Sequence, residues 1–153
     1  EHQRRVAEAW KVFAEGDKAA GITLLSAAAD AEDLTDKSAV TPGPIAPARE
    51  LLGFMLLEAG RAKDAQAAFA ATMKKEPGRF LGLYGGARAA EAAGNKAAAA
   101  ALYKQLLDMV GAATAERPAL AHARQQTASR DAMLIGAGVF SGLAAWEYHR
   151  RCD

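Results

Sequence analysis

The sequence has few of the residues that build β-sheets or bulky cores. Aromatic residues are 7% of its 153 residues, and β-branched residues are scarce, which argues against a sheet. Hydrophobic residues reach 51%, but much of that content is alanine, which is the strongest helix former and has a small side chain. The composition therefore predicts an all-α fold of closely spaced helices.

An excess of charge of one sign is also missing. The 19 basic and 18 acidic residues leave a net charge of +1, so the chain has no basic field for a nucleic-acid backbone. Charges of both signs are interspersed along the helical stretches, as is typical of solvated helix faces. Cys152 is the only cysteine in the sequence, so no disulfide can form within the chain, and the compartment stays undetermined.

Motifs for catalysis, cofactors and metals do not stand out either, and no nucleophile motif is recognisable. The glycine-rich stretch GLYGGAR (82–88) follows no predicted strand and lacks the lysine of a phosphate-binding loop, so we interpret Gly85 and Gly86 as sites of tight helix contact. His149 and Cys152 have the spacing of two zinc ligands, but a structural zinc needs four, and a frayed terminus explains them better. We predict a non-enzymatic protein without cofactor or metal.

What the sequence does contain is a helical repeat. Gly94 follows Gly60 by 34 positions, and Tyr103 follows Phe69 by the same step. A weaker first copy places Gly16 44 positions before Gly60. The ten surplus residues fall within 32–47, where three prolines and a glycine exclude a helix interior. A loop is predicted there, and it is either functional or an insertion that the repeat tolerates.

Residues 46–79 resemble a tetratricopeptide repeat, a family whose helical units are about 34 residues long. The residues that carry the resemblance are Leu52, Gly53, Gly60, Ala65, Phe69 and Pro77. Residues 80–113 match less closely, because Ala87 replaces the first glycine and Gly111 stands where proline is usual. The array is similar to tetratricopeptide segments of bacterial proteins of unassigned function.

The resemblance implies a short right-handed α–α superhelix built from three helical hairpins. It places the hairpins at residues 1–33, 46–79 and 80–113, with a Pro/Gly loop at 34–46. Gly60 would end the first helix of its hairpin in a left-handed conformation, and Pro77 would stop the second helix. Ala65 would let the two helix backbones approach each other, and Phe69 would fill the space beside the next unit.

Residues 114–153 are predicted to form a capping helix and an apolar tail. The capping helix would have Pro118 in its first turn, and Leu120 would cover the exposed face of the last repeat. The uncharged run 132–146 would span about 22 Å as a helix, which is short of the roughly 30 Å hydrocarbon core of a bilayer. We therefore expect a buried helix, packed on its own array or on another copy, rather than a membrane anchor.

By analogy with the family, the first helix of each hairpin lines a concave groove. The positions that correspond in this chain are Val6, Trp10, Phe13, Glu50, Phe54, Leu57, Glu58, Leu81, Tyr84, Arg88 and Glu91. Most of them are apolar or aromatic, which suits a peptide or helix partner, unless Trp10 and Phe54 are covered by the tail or by neighbouring units. Only Arg88 could pair with a terminal carboxylate, so the carboxylate clamp of chaperone-binding members is absent.

The sequence thus predicts a non-catalytic module that binds a protein or peptide in its groove. The alternative is a structural module that self-associates through the apolar C-terminal helix, with residues 132–148 forming the contact between copies. Attachment to a membrane through residues 132–146 ranks third. No nucleic-acid partner is expected, and the sequence does not name the partner protein.

Overall fold

The computed structural model describes residues 2–35, 44–111 and 117–129, and over these ranges the chain forms seven α-helices. The helices are α1 (His2–Ala14), α2 (Lys18–Asp33), α3 (Ala48–Glu58), α4 (Ala62–Lys75), α5 (Phe80–Ala92), α6 (Lys96–Val110) and α7 (residues 118–129). The all-α prediction is confirmed. The apolar run 132–146, in which an eighth helix is expected, lies outside the described residues.

The helices pack as sequential antiparallel pairs, in an arrangement consistent with a helical repeat array. Each helix lies against its neighbours in the sequence, and α3 also touches α1 and α5. Because successive helices alternate in direction, the first helices of the pairs run the same way. The core consists of two adjoining clusters. The first is formed by α1, α2, α3 and α4 with Ala89 of α5, and the second by α5, α6 and α7.

The turn inside the second pair recurs inside the third, 34 residues later. Gly60 has a φ of 76° and Gly94 a φ of 79°, in the left-handed region that glycine enters without steric cost. The amide of Arg61 donates to the carbonyl of Leu56 over 2.8 Å, and the amide of Asn95 donates to its counterpart at Ala90 over the same distance. The prediction that Gly60 ends its helix in this conformation is confirmed.

Phe69 is the buried contact between the second and third pairs. Its ring lies so close to two glycines that a Cβ at Gly53 would come within 2.7 Å of it, and a Cβ at Gly85 within 2.3 Å. A Cβ at Gly86 would lie 3.2 Å from Cε of Met73. The tight contact expected at Gly85 and Gly86 is therefore present, and it joins α5 to α4 of the preceding pair.

The first and second pairs are joined by polar contacts at the end of α2 and the start of α3. The carboxylate of Glu32 accepts the backbone N–H of Ala48 over 2.8 Å, which satisfies an amide in the first turn of α3. Arg49 forms an ion pair with Asp33, in the last turn of α2. These contacts hold together the two ends of the predicted Pro/Gly loop, of which residues 36–43 lie outside the described ranges.

The helix after the third pair packs against α6 of that pair. Pro118 is the first residue of α7, where its missing N–H is tolerated. Leu120 and Ala123 are buried in one cluster with Tyr103 and Leu106 of α6. Because this cluster is closed on one side by α7, the third pair depends on that helix for its core.

Candidate functional site

A cleft of about 470 Å³ opens along α3, α5 and α7. Its lining consists of Phe54, Leu57, Glu58, Tyr84, Arg88, Glu91, Ala92 and His122. Six of these eight are groove positions inferred from the family resemblance, and the structure brings those six together in one place. Ala92 and His122 were not among the predicted positions.

The helical period and the 34-residue repeat together place these side chains side by side. Phe54, Leu57 and Glu58 are spaced i, i+3, i+4 along α3, so they share one face of that helix. Positions 34 residues later on α5 are occupied by Arg88, Glu91 and Ala92, which share the corresponding face. Since α3 and α5 run in the same direction and touch, the two faces form one wall of the cleft.

His122 extends the same register onto α7. It lies 34 positions after Arg88, which itself lies 34 positions after Phe54. The residues that directly follow these three are Met55, Ala89 and Ala123, and all of them are fully buried, so the three helices are also alike in burial. In sequence register and in burial, α7 therefore corresponds to the first helices of the second and third pairs. Extending the period past residue 113 is the signal that would have found His122.

Five of the eleven predicted groove positions, namely Val6, Trp10, Phe13, Leu81 and Glu50, lie apart from the cleft. Val6 and Phe13 of α1 are buried in the core, where α1 packs against α2. Trp10 is half-buried and lies edge-on to Phe13, with ring centroids 5.7 Å apart. Leu81 is exposed in the first turn of α5 and does not line the cleft. The burial of Val6 and Phe13 leaves neither of them available to a partner.

Glu50 is a further correction, because it is fully buried. Both of its carboxylate oxygens accept hydrogen bonds from Arg79, over 3.0 Å from Nε and 3.1 Å from Nη2. Arg79 also donates to the carboxylate of Glu76 and to the carbonyl of Ile45. The hydrogen bond to Glu50 raises the pKa of Arg79 despite its burial. Glu50 is thus a structural anchor of α3 rather than a groove residue.

Within the cleft wall, Glu91 is the centre of a polar cluster. Its Oε2 accepts the hydroxyl of Tyr103 over 2.8 Å and lies 3.1 Å from His122 Nε2 and 3.8 Å from Arg88 Nε. Burial would raise the pKa of Glu91, but the hydrogen bonds from Tyr103 and His122 and the nearby charges outweigh it and lower that pKa. Burial and the hydrogen bond to Glu91 raise the pKa of Tyr103 well above its usual value.

Aromatic contacts fix the orientation of the same wall. The ring centroids of Tyr84 and His122 lie 6.3 Å apart in a T-shaped arrangement, and those of His122 and Tyr103 lie 5.6 Å apart. Arg88 donates to the hydroxyl of Tyr84 over 3.2 Å and lies over its ring. Because Tyr84, Arg88 and His122 are held by these contacts, this part of the cleft is pre-organised, and the cleft as a whole combines an apolar floor of Phe54, Leu57 and Tyr84 with a charged edge.

Neither a metal-binding cluster nor a membrane-spanning helix is found in the described parts of the chain. No cluster of three or more His, Cys, Asp or Glu residues is arranged there to hold a metal ion. No helix in the described ranges is both long enough and apolar enough to cross a bilayer. His149, Cys152 and the run 132–146 lie outside those ranges, so the predictions about them stay predictions.

Comparison with models of known protein families finds no match to this chain. Comparison with curated proteins finds no relative. The class is therefore defined by the structure: an all-α protein whose described residues form seven helices packed in sequential antiparallel pairs. This packing is consistent with a helical repeat array.

Proposed function

We propose that this protein is a tetratricopeptide-like interaction module, a right-handed solenoid that binds a peptide or helix of another protein on its concave side. The observation that carries the proposal is the cleft itself. Six groove positions inferred from the resemblance line one cleft, contributed by helices of two successive pairs. The proposal includes no catalytic step, since the cleft offers an apolar floor and a charged edge suited to recognition.

The repeat geometry supports the family part of the proposal. The glycine turn, its left-handed φ and its hydrogen bonds recur after 34 residues, which is the period of tetratricopeptide units. Phe69 and Tyr103 occupy equivalent positions, and both are buried. Stacked units of this kind present the first helices of successive pairs on one side, where binding surfaces of helical solenoids form.

The size and chemistry of the cleft support the binding part. A volume of about 470 Å³ is in the range of sites that hold small ligands or a few anchoring side chains. Phe54, Leu57 and Tyr84 supply apolar and aromatic area, and binding energy at such surfaces concentrates in a few central aromatic or arginine contacts. A peptide or helix with one large apolar anchor would fit this description.

A selection from a phage-displayed library of random peptides, followed by fluorescence-polarisation titration, tests the proposal. Tyr84→Ala is expected to raise the Kd of selected peptides by roughly fivefold or more, because it removes the aromatic floor of the cleft. Leu81→Ala is the matched control, since Leu81 is on the same helix but outside the cleft and is 44% exposed. The proposal fails if Tyr84→Ala and Leu81→Ala bind every selected peptide as tightly as the wild type does.

Self-association is the second candidate, and it depends on the uncharged run 132–146. Light scattering of the full chain would detect it, and the double variant Leu134→Lys, Val139→Lys would place two charges in that run. Dissociation of an oligomer in the double variant would favour this candidate. A monomer in both cases would exclude it. Co-flotation of the same two proteins with liposomes tests the third candidate, membrane attachment.

A further inference from the structure

The acidic side chains of the cleft are gathered at one end of it. Glu58 is the last residue of α3, and Glu91 is the second-to-last residue of α5. Because α3 and α5 run in the same direction, their C-terminal ends lie on the same side of the fold. The aligned peptide dipoles leave roughly half a negative charge at each such end. Two carboxylates and two helix termini therefore contribute negative potential at this end of the cleft.

This is an unfavourable place for a carboxylate that serves stability alone. Cations are the side chains that stabilise helix C-termini, yet neither α3 nor α5 has a basic residue in its last turn. Glu58 is exposed and forms no hydrogen bond or ion pair with any residue in the described part of the chain. Its negative charge is thus directed to solvent at the mouth of the cleft.

The other charged groups of the cleft do not cancel this charge. The lining contains two carboxylates and one guanidinium, and the guanidinium of Arg88 is already engaged with the hydroxyl and ring of Tyr84 and with Glu91. The pKa of Glu91 is lowered by its hydrogen bonds and neighbouring charges in spite of burial, so this carboxylate stays ionised at neutral pH. A ligand group complementary to the cleft is therefore a cation.

We propose that the partner segment carries a lysine or arginine beside an apolar anchor, and that the cation pairs with Glu58 at the ends of α3 and α5. The anchor packs on Phe54, Leu57 and Tyr84. The aromatic floor favours the same choice, because aromatic faces attract cations as well as apolar groups. This inference rests on the proposed function and adds the chemistry of the ligand to it.

The experiment selects peptides from the library with three forms of the whole chain: the wild type, Glu58→Lys and Glu8→Lys. The sequences of the enriched peptides are then compared. The wild type should enrich peptides in which a basic residue neighbours a large apolar one. Glu58→Lys should weaken binding of those peptides by roughly tenfold or more, because attraction becomes repulsion, and should enrich acidic peptides instead. Glu8→Lys is the matched control, since it makes the same charge change on the exposed surface of α1 and should leave the selection unchanged.

Thermal unfolding of the variants separates recognition from a structural role. A lysine at position 58 suits the end of α3, so Glu58→Lys should be as stable as the wild type or more stable while it loses the basic peptides. Such a loss of binding without loss of stability supports the inference.

Three outcomes would overturn it. Peptides that depend on Tyr84 but show no preference for basic residues would support the proposed interaction module and contradict the proposal that its partner carries a lysine or arginine. If no selected peptide depends on Tyr84, both proposals fall together. If no peptide is enriched and light scattering shows self-association that Tyr84→Ala abolishes, the cleft is filled by a second copy of the chain.

Discussion

At the scale of single residues, the buried pair of Glu50 and Arg79 shows how an acidic side chain comes to lie inside the fold. Glu50 is on α3, while Arg79 precedes α5 and reaches back to it with two hydrogen bonds. Such a bidentate pair offsets part of the desolvation of both charges, but it makes each partner dependent on the other. The interaction is also long-range in sequence, since it joins the second helix pair to the third.

The pair predicts a large loss of stability on removing one partner. Arg79→Ala should lower the free energy of unfolding by about 3 kcal/mol, because it leaves the carboxylate of Glu50 buried without its cation. Arg61→Ala is the control, as its ion pair with Asp64 is exposed and should contribute under about 1 kcal/mol. Urea unfolding of both variants measures the difference. Equal losses in the two variants would show that the buried pair is not needed.

A second residue-scale prediction concerns Glu91 and pH. A carboxyl whose pKa is lowered by folding stabilises the protein above its unfolded pKa of about 4.5, and this stability disappears as the pH falls through the folded value. Tyr103→Phe removes one of the hydrogen bonds that lower this pKa. The variant should lose about 1 kcal/mol at pH 7, a value reduced for the partial exposure of Glu91, and the difference should shrink as the pH falls below the ordinary value of 4.5 towards the lowered pKa of the folded state.

Urea unfolding of wild type and Tyr103→Phe at pH 7 and at pH 3.5 checks this. A stability difference that stays constant between the two pH values would mean that the cost of the substitution is packing alone. A difference that grows on acidification would contradict the stated direction of the shift in Glu91.

At the scale of helices, the contact between α4 and α5 depends on the absence of a side chain at one position. A Cβ at Gly85 would lie 2.3 Å from the ring of Phe69, which is fully buried and cannot easily move. At Gly86 the nearest atom is the flexible end of Met73, at 3.2 Å. A side chain at Gly85 would therefore clash with a rigid ring, whereas one at Gly86 would meet a flexible side chain, a difference that the sequence alone does not reveal.

Substitution by alanine should separate the two glycines. Gly85→Ala should lower the free energy of unfolding by about 1–2 kcal/mol, because overpacking outweighs the gain in helix propensity. Gly86→Ala should change it by less than about 0.5 kcal/mol or raise it, since the methionine can adjust while the helix gains. Thermal unfolding followed by circular dichroism compares them. A stable Gly85→Ala variant would mean that α4 and α5 can separate at little cost.

The helices and their turns could be predicted from the sequence because local physics determines them. Gly60 and Gly94 mark left-handed turns, Pro77 stops α4 and Pro118 begins α7, and each effect acts within a few residues. The six cleft-lining positions of α3 and α5 followed from the family resemblance. Glu50 was misplaced because its burial depends on an arginine 29 positions away, a pairing that no periodicity reveals.

At the scale of the whole molecule, α7 extends the row of packed helices beyond the three glycine-marked pairs. His122 continues the register of Phe54 and Arg88, and it borders the cleft that they line. It was missed because alanine-rich sequence blurs the repeat, so that only glycine and aromatic positions stand out. In stacked arrays each unit contacts only its neighbours, so stability is expected to vary along the array rather than as one block.

We therefore expect a destabilising substitution in α7 to lower the stability of the neighbouring helices more than that of distant ones. Leu120 is 2% exposed and closes the cluster around Tyr103, so Leu120→Ala should lower stability by about 2–4 kcal/mol. Amide hydrogen exchange of the full chain should show protection falling in α5, α6 and α7 and largely kept in α1 and α2, whose core belongs to the other cluster. Ala121→Ser, at an exposed position of the same helix, is the control and should leave exchange unchanged. A uniform loss of protection from α1 to α7 would show instead that the helices unfold as a single cooperative unit, and the description as an array of separately stabilised pairs would then be wrong.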